Sequence, residues 1–72
     1  MDSLRLEYAR KRRGRSKADM AKLIKKSLNS YTKKEAGQVG FTDEEKLLIT
    51  ADLDLTAEEF DAIFYDGNLP KR

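Results

Sequence analysis

The chain contains neither cysteine nor histidine. Disulfides are therefore excluded, and so is nearly every scheme of zinc ligation. The lack of cysteine fits a reducing compartment. No apolar run comes near the roughly 18 residues that a membrane span needs. The opening MDSLRLEYARKRR sets charges among its apolar residues, which is not how a secretory signal reads. There is no glycine-rich phosphate loop, no histidine base, no thiol nucleophile and no evident pair of cleft carboxylates. An enzyme is accordingly not expected, nor a cofactor, a metal or a small-molecule substrate. No segment alternates as a strand does, and repeats, low-complexity tracts and linkers are missing. What remains is a single soluble domain of 72 residues, 39% of them apolar. A domain of this size buries only about 60% of its unfolded surface, so its stability margin is expected to be thin.

Charge is abundant and unevenly placed. Residues 1–40 hold 12 Lys/Arg against 4 Asp/Glu, whereas residues 41–66 hold nine acids against Lys46 alone. The net charge of +2 hides this division. A basic half implies a polyanion partner for that half, and acidic segments are expected to point away from it.

Apolar spacing and capping signals place five helices. The first runs from about Ser3 to Arg13 and stops at Gly14, with Leu4 and Tyr8, and secondarily Leu6 and Ala9, expected to face inward. The second spans about Lys17–Ile24, opened by a Ser16/Asp19 capping box and carrying Met20, Ala21 and Ile24 on one stripe. The third runs from Leu28 to about Ala36, capped by Ser27 and stopped at Gly37. Its large apolar residue after Leu28 is Tyr31, so it docks by one side chain and exposes the rest. Thr42/Glu45 and Thr56/Glu59 boxes open two acidic helices within about 43–66. Leu47, Leu48 and Ala51, with Ile49 nearby, are expected on the buried face of one, and Phe60, Ile63 and Phe64 on that of the other. Gly67 is expected to end the last helix, with Asn68 to Arg72 as a short tail.

The stretch Ser16–Gly37 resembles the helix-turn-helix of the Cro and phage-repressor family of DNA-binding proteins. The resemblance rests on Ser16, Ala21, Ser27, Tyr31, Glu35 and Gly37, together with Arg10 upstream. It covers helices one to three closely, and the last two by length and capping. It implies a compact all-α bundle of five helices of the lambda-repressor-like type, with the helix-turn-helix at about 17–36. It also implies an Arg10–Glu35 ion pair, a backbone contact at Lys17, and a dimer contact near Ile63, Phe64 and Tyr65. One departure from the pattern is Lys25, which stands in the turn where the family usually has glycine in a left-handed conformation. That substitution is expected to cost about 1 kcal/mol.

The residues of helix three read the same way on physical grounds. Asn29 can pair bidentately with adenine, and Leu28 can pack on a thymine methyl. Lys33 lies four residues on, on the same face, and can reach guanine acceptors or a phosphate, with Thr32 as a secondary candidate. Ser27 and Ser30 at the helix start, and the loop amides of Gly37 and Gln38, are phosphate candidates. The run Arg10–Arg15 is expected to add electrostatic field, and Lys34 to lie on a solvated face. The expectation is a regulator that occupies a double-stranded DNA operator, as a repressor or Cro-like switch of a phage or mobile element. Such a protein acts in the cytoplasm of a bacterial or phage-infected cell, alone or as a homodimer, and does no chemistry. At 72 residues a Cro-like switch is expected rather than a larger repressor with a C-terminal domain, although a repressor domain cut from one reads the same. The alternative is a protein-binding adaptor, antitoxin-like or anti-repressor, that works through the acidic helices four and five.

Overall fold

The computed structural model describes residues 1–66, and among them every regular element is helical. The helices are α1 (Ser3–Arg12), α2 (Lys17–Leu23), α3 (Leu28–Glu35), α4 (Asp43–Leu53) and α5 (Ala57–Phe64). The expected helix stop at Gly67 and the tail after it lie outside the described residues.

Each helix begins on a side-chain oxygen. Asp2, Ser16, Ser27, Thr42 and Thr56 each accept from the amide three residues ahead, which satisfies one of the helix's orphan donors. The three capping boxes read from the sequence all form, with Asp19, Glu45 and Glu59 bonding back to the cap amide. The first four helices also end alike. A residue of positive φ follows the last turn, at Gly14, Lys25, Gly37 and Asp54. The next amide then bonds back five residues, from Arg15 to Arg10, Lys26 to Ala21, Gln38 to Lys33 and Leu55 to Thr50.

The core gathers Leu6, Ala9, Met20, Ala21, Ile24, Tyr31, Ile49, Leu53, Leu55, Ile63 and Phe64, with Leu23, Phe41, Phe60 and Tyr65 packed against it. Tyr31 is fully buried and leans on Phe41 at 6.1 Å, which in turn meets Phe64 edge-on at 5.8 Å. The α2 stripe of Met20, Ala21 and Ile24 is buried as its spacing requires.

Two helices turn a different face inward from the one expected. Leu4 and Tyr8 are 77% and 67% exposed, while Leu6, Ala9 and Arg10 form the buried stripe of α1. On α4, Leu47 is 66% exposed and Ala51 is also at the surface, whereas Glu45, Ile49 and Leu53 are buried. Lys34, expected to be solvated, is buried too. All three corrections have one cause. In each case the inward stripe includes a charged residue whose partner comes from another helix.

The partners form two buried ion pairs. Arg10 Nε donates to Glu35 Oε1 at 2.8 Å, its Nη2 reaches Oε2 at 3.4 Å, and its Nη1 donates to the Arg15 carbonyl. The Tyr31 hydroxyl donates to the same Glu35 Oε1 at 3.0 Å. Burial works against the Arg10 charge, but Glu35 outweighs it and holds the guanidinium above its ordinary pKa. Burial, with Glu35 adding to it, pushes the Tyr31 phenol far above its usual range. Next along α3, Lys34 Nζ donates to Glu45 Oε1 at 2.8 Å and to the Gly40 carbonyl at 3.1 Å. Glu45 Oε1 also accepts from the Thr42 amide at 2.9 Å, so the α4 cap and the ion pair share one oxygen.

Removing one partner of a buried pair leaves the other charge uncompensated, at a cost of about 3–5 kcal/mol. A chain of this length has about 4–11 kcal/mol of stability in all. Glu35→Ala should therefore lose about 3–5 kcal/mol, a large share of that total, in urea titrations followed by circular dichroism. Tyr31→Phe, which leaves the pair in place, should lose about 1–2 kcal/mol. Similar losses for both variants would mean that the pair is not the stronger tie.

Acid sensitivity follows from Glu45. Burial raises its pKa, but Lys34 and the Thr42 amide together hold it below the ordinary 4.5. A carboxyl depressed by folding contributes stability above its unfolded pKa and loses it as pH falls through the folded one. Asp19 and Glu59 act in the same sense, held low first by the backbone bonds at Ser16 and Thr56. Stability should thus fall below about pH 4.5, and the fall should be shallower in Glu45→Gln when melting temperature is followed against pH.

Candidate functional site

The ion pairs divide the cations of the described residues into two sets. The basic run of residues 10–15 is bound internally. Arg10 holds Glu35, Lys11 holds Glu7, Arg12 holds Glu59, Arg13 holds Asp54, and Arg15 holds Asp52. Arg5 pairs with Asp2, Lys34 with Glu45, and Lys46 lies 3.9 Å from Asp43. The run expected to project field toward a partner is instead neutralised within the fold, three of its five partners coming from the acidic half. Lys17, Lys22, Lys25, Lys26 and Lys33 form the other set, with no ion pair within 4.0 Å. All five lie on α2, the turn after it, and α3.

α2 and α3 pack on each other more extensively than any other helix pair. Their joint is the four-residue turn Ile24–Ser27, closed by the left-handed Lys25 (φ 59°) and the bond from Lys26 N–H to the Ala21 carbonyl at 2.9 Å. Tyr31 anchors α3 in the core from its middle, and Lys34 and Glu35 anchor its last turn. Its opposite face stands clear of the protein. Leu28 is 53% exposed, and Asn29 and Lys33 are exposed as well. The structure thus brings together three of the four residues expected to read bases on one open face.

Other expected residues are differently engaged. Thr32 is half-buried, and its hydroxyl donates to the Leu28 carbonyl at 2.8 Å. Ser27 Oγ accepts from the Ser30 amide at 3.0 Å as the cap of α3, and Ser30 itself is half-buried. The amides of Gly37 and Gln38, expected as phosphate donors, instead close α3 by bonding to the Lys34 and Lys33 carbonyls at 3.1 and 3.0 Å. The Gln38 side chain alone stays at the surface. Lys17 is half-buried at the start of α2, beside a shallow depression shared with Glu7, Thr32 and Glu35. The Glu7 carboxyl is held below its ordinary range first by Lys11, with weaker help from Arg10 and Lys17.

The residues expected at a dimer contact sit mostly inside. Ile63 and Phe64 are buried in the chain's own core, so they offer little surface. Tyr65 is half-buried, its hydroxyl accepting from Lys46 Nζ at 3.2 Å and its ring lying 4.6 Å from that ammonium. Exposed apolar surface lies instead at Leu4 and Tyr8, which flank an open groove between α1 and α5.

The sequence assigns no individual contact to Lys22 or Lys26, and to Lys25 only a backbone cost. A local signal existed, since residues 17–34 carry six lysines and only Asp19 as an acid. Comparison with protein-family models, with curated proteins and with solved structures finds no match. No described helix is long and apolar enough to cross a membrane.

The division of cations can be read chemically. Brief treatment with an amine-acetylating reagent, followed by peptide mass spectrometry, should label Lys22, Lys25, Lys26 and Lys33 first. Lys34, enclosed with Glu45, should be labelled after all four. Fast labelling at Lys34 would contradict the buried pair.

Proposed function

We propose that the chain is a sequence-specific double-stranded DNA-binding regulator of the Cro/repressor type, built on a lambda-repressor-like helix-turn-helix. One observation carries the reading. The unpaired cations of the described residues are all lysines of α2, its turn and α3, the elements that carry the exposed Leu28, Asn29 and Lys33. An α-helix fits the major groove, and free lysines beside it suit the phosphates that flank the groove. Asn29 would read adenine, Leu28 a thymine methyl, and Lys33 a guanine edge or a phosphate. Lys17 would anchor the start of α2 on the backbone, with the Ser27–Ser30 cap and the Gln38 side chain nearby. Action would be by occupancy of an operator, as a repressor or switch protein of a phage or mobile element, in the cytoplasm of its host. Two copies on a two-fold axis would place their recognition helices about 34 Å apart on one DNA face.

The adaptor reading loses support from the same ion pairs. Asp52, Asp54 and Glu59, three of the nine acids of residues 41–66, already hold Arg15, Arg13 and Arg12.

Selection from random duplex DNA, followed by titration of the recovered site at several salt concentrations, tests the proposal. Five lysine–phosphate contacts bound the slope of log affinity against log salt at about −4.5 per chain. Asn29→Ala should weaken binding by about 1–3 kcal/mol and relax preference at one base pair. Recovery of no enriched sequence and no salt-dependent binding would sink the reading.

A further inference from the structure

Three residues other than glycine have positive φ among those described, namely Lys25, Asp54 and Asp66. Aspartate tolerates this region, because its short polar side chain can bond locally. Lysine has no such relief, and its Cβ meets the steric penalty in full. At both aspartates the side chain is also used inside the molecule. Asp54 accepts the Arg13 guanidinium at 3.0 Å, and Asp66 pairs with the amino group of Met1 at 2.9 Å. Lys25 differs on each count. It occupies the same helix-ending position that Gly14 and Gly37 fill after α1 and α3, yet its side chain is exposed and makes no ion pair in the fold. Nothing among the described residues explains why a lysine stands there.

We propose that Lys25 is a phosphate-anchoring residue, whose ammonium is kept in a strained backbone position because it contacts the DNA backbone beside α3. The inference rests on the DNA-binding reading above and explains why one of its five lysines stands where glycine would be unstrained. The turn is where α2 hands over to the exposed end of α3, and Lys22, Lys26 and Lys33 supply the same charge on the flanking helices. A strained residue persists where the surrounding structure holds it and a function uses it. Here the function would be electrostatic, so stability and affinity should move in opposite directions when the lysine is replaced.

The experiment uses the whole chain and the duplex recovered by the selection described above. Lys25→Gly removes both strain and charge, Lys25→Asn removes charge while tolerating the left-handed backbone, and Lys25→Arg keeps the charge. Lys25→Gly should melt about 4–8 °C higher than the parent. At 0.1 M salt it should nevertheless bind on the order of 5- to 10-fold more weakly, with a salt slope shallower by about 0.9 per chain. Lys25→Asn should lose the same slope, and Lys25→Arg should retain the parent's. A normal slope and affinity in Lys25→Gly would overturn the role of Lys25 and leave the DNA-binding reading standing. Loss of slope in Lys25→Arg would overturn it too, since charge would not be the cause. A parent chain that shows no salt-dependent binding would overturn both readings together.

Discussion

The Glu35 carboxylate lies inside the protein, where a lone charge would be prohibitively expensive, and much of the architecture follows from how it is matched. Arg10 supplies the counter-charge from α1, and Tyr31 supplies a hydroxyl from one turn earlier on α3. To deliver Arg10, α1 must turn Leu6 and Ala9 inward and leave Leu4 and Tyr8 outside. The adjacent Lys34 makes the equivalent tie to Glu45 on α4, which also caps that helix. α3 is therefore gripped at its last turn from two sides and at its middle by Tyr31. The face that carries Leu28, Asn29 and Lys33 needs no further support from the protein and is left outward.

The same economy of pairing shapes the surface. The acidic residues of α4, α5 and the link between them meet the basic run at the end of α1, at Asp52, Asp54 and Glu59. Two halves of opposite sign thus hold each other rather than competing for partners outside. Such exposed pairs contribute little to stability individually. Their larger effect is subtractive: they remove one cluster of positive charge from the outside and leave the other. The proposed nucleic-acid face is what remains after the internal pairing is complete.

Much of this was legible from the sequence where local rules decide. Capping boxes at Ser16, Thr42 and Thr56, helix ends at Gly14 and Gly37, and the core positions of Met20, Ala21, Ile24 and Tyr31 depend on spacing alone. The left-handed turn at Lys25 and the Arg10–Glu35 pair followed from resemblance to a known pattern, and both are present. The faces of α1 and α4 were not legible, because each helix offers two apolar stripes. The choice between them is made by a buried charge whose partner lies 25 residues away for Arg10 and 11 for Glu45. Periodicity treats such residues as outward-facing and so selects the wrong stripe. At the candidate site, the exposure of Leu28, Asn29 and Lys33 could be read from α3 alone. The engagement of the Gly37 and Gln38 amides could not, because it depends on how the helix terminates in three dimensions.

Among the described residues, every arginine is ion-paired within the fold, and every cation left unpaired is a lysine. This partition governs which positions are free to drift. Exchanging one of the lysines at positions 17, 22, 26 or 33 disturbs no internal pair, and surface changes of that kind stay within about ±0.5 kcal/mol. Exchanging Arg10, Arg12, Arg13 or Arg15 instead releases an acid from a distant part of the fold. The scaffold and the outward face can thus diverge at separate rates, and a lineage could retune what the face meets without re-solving how the chain folds.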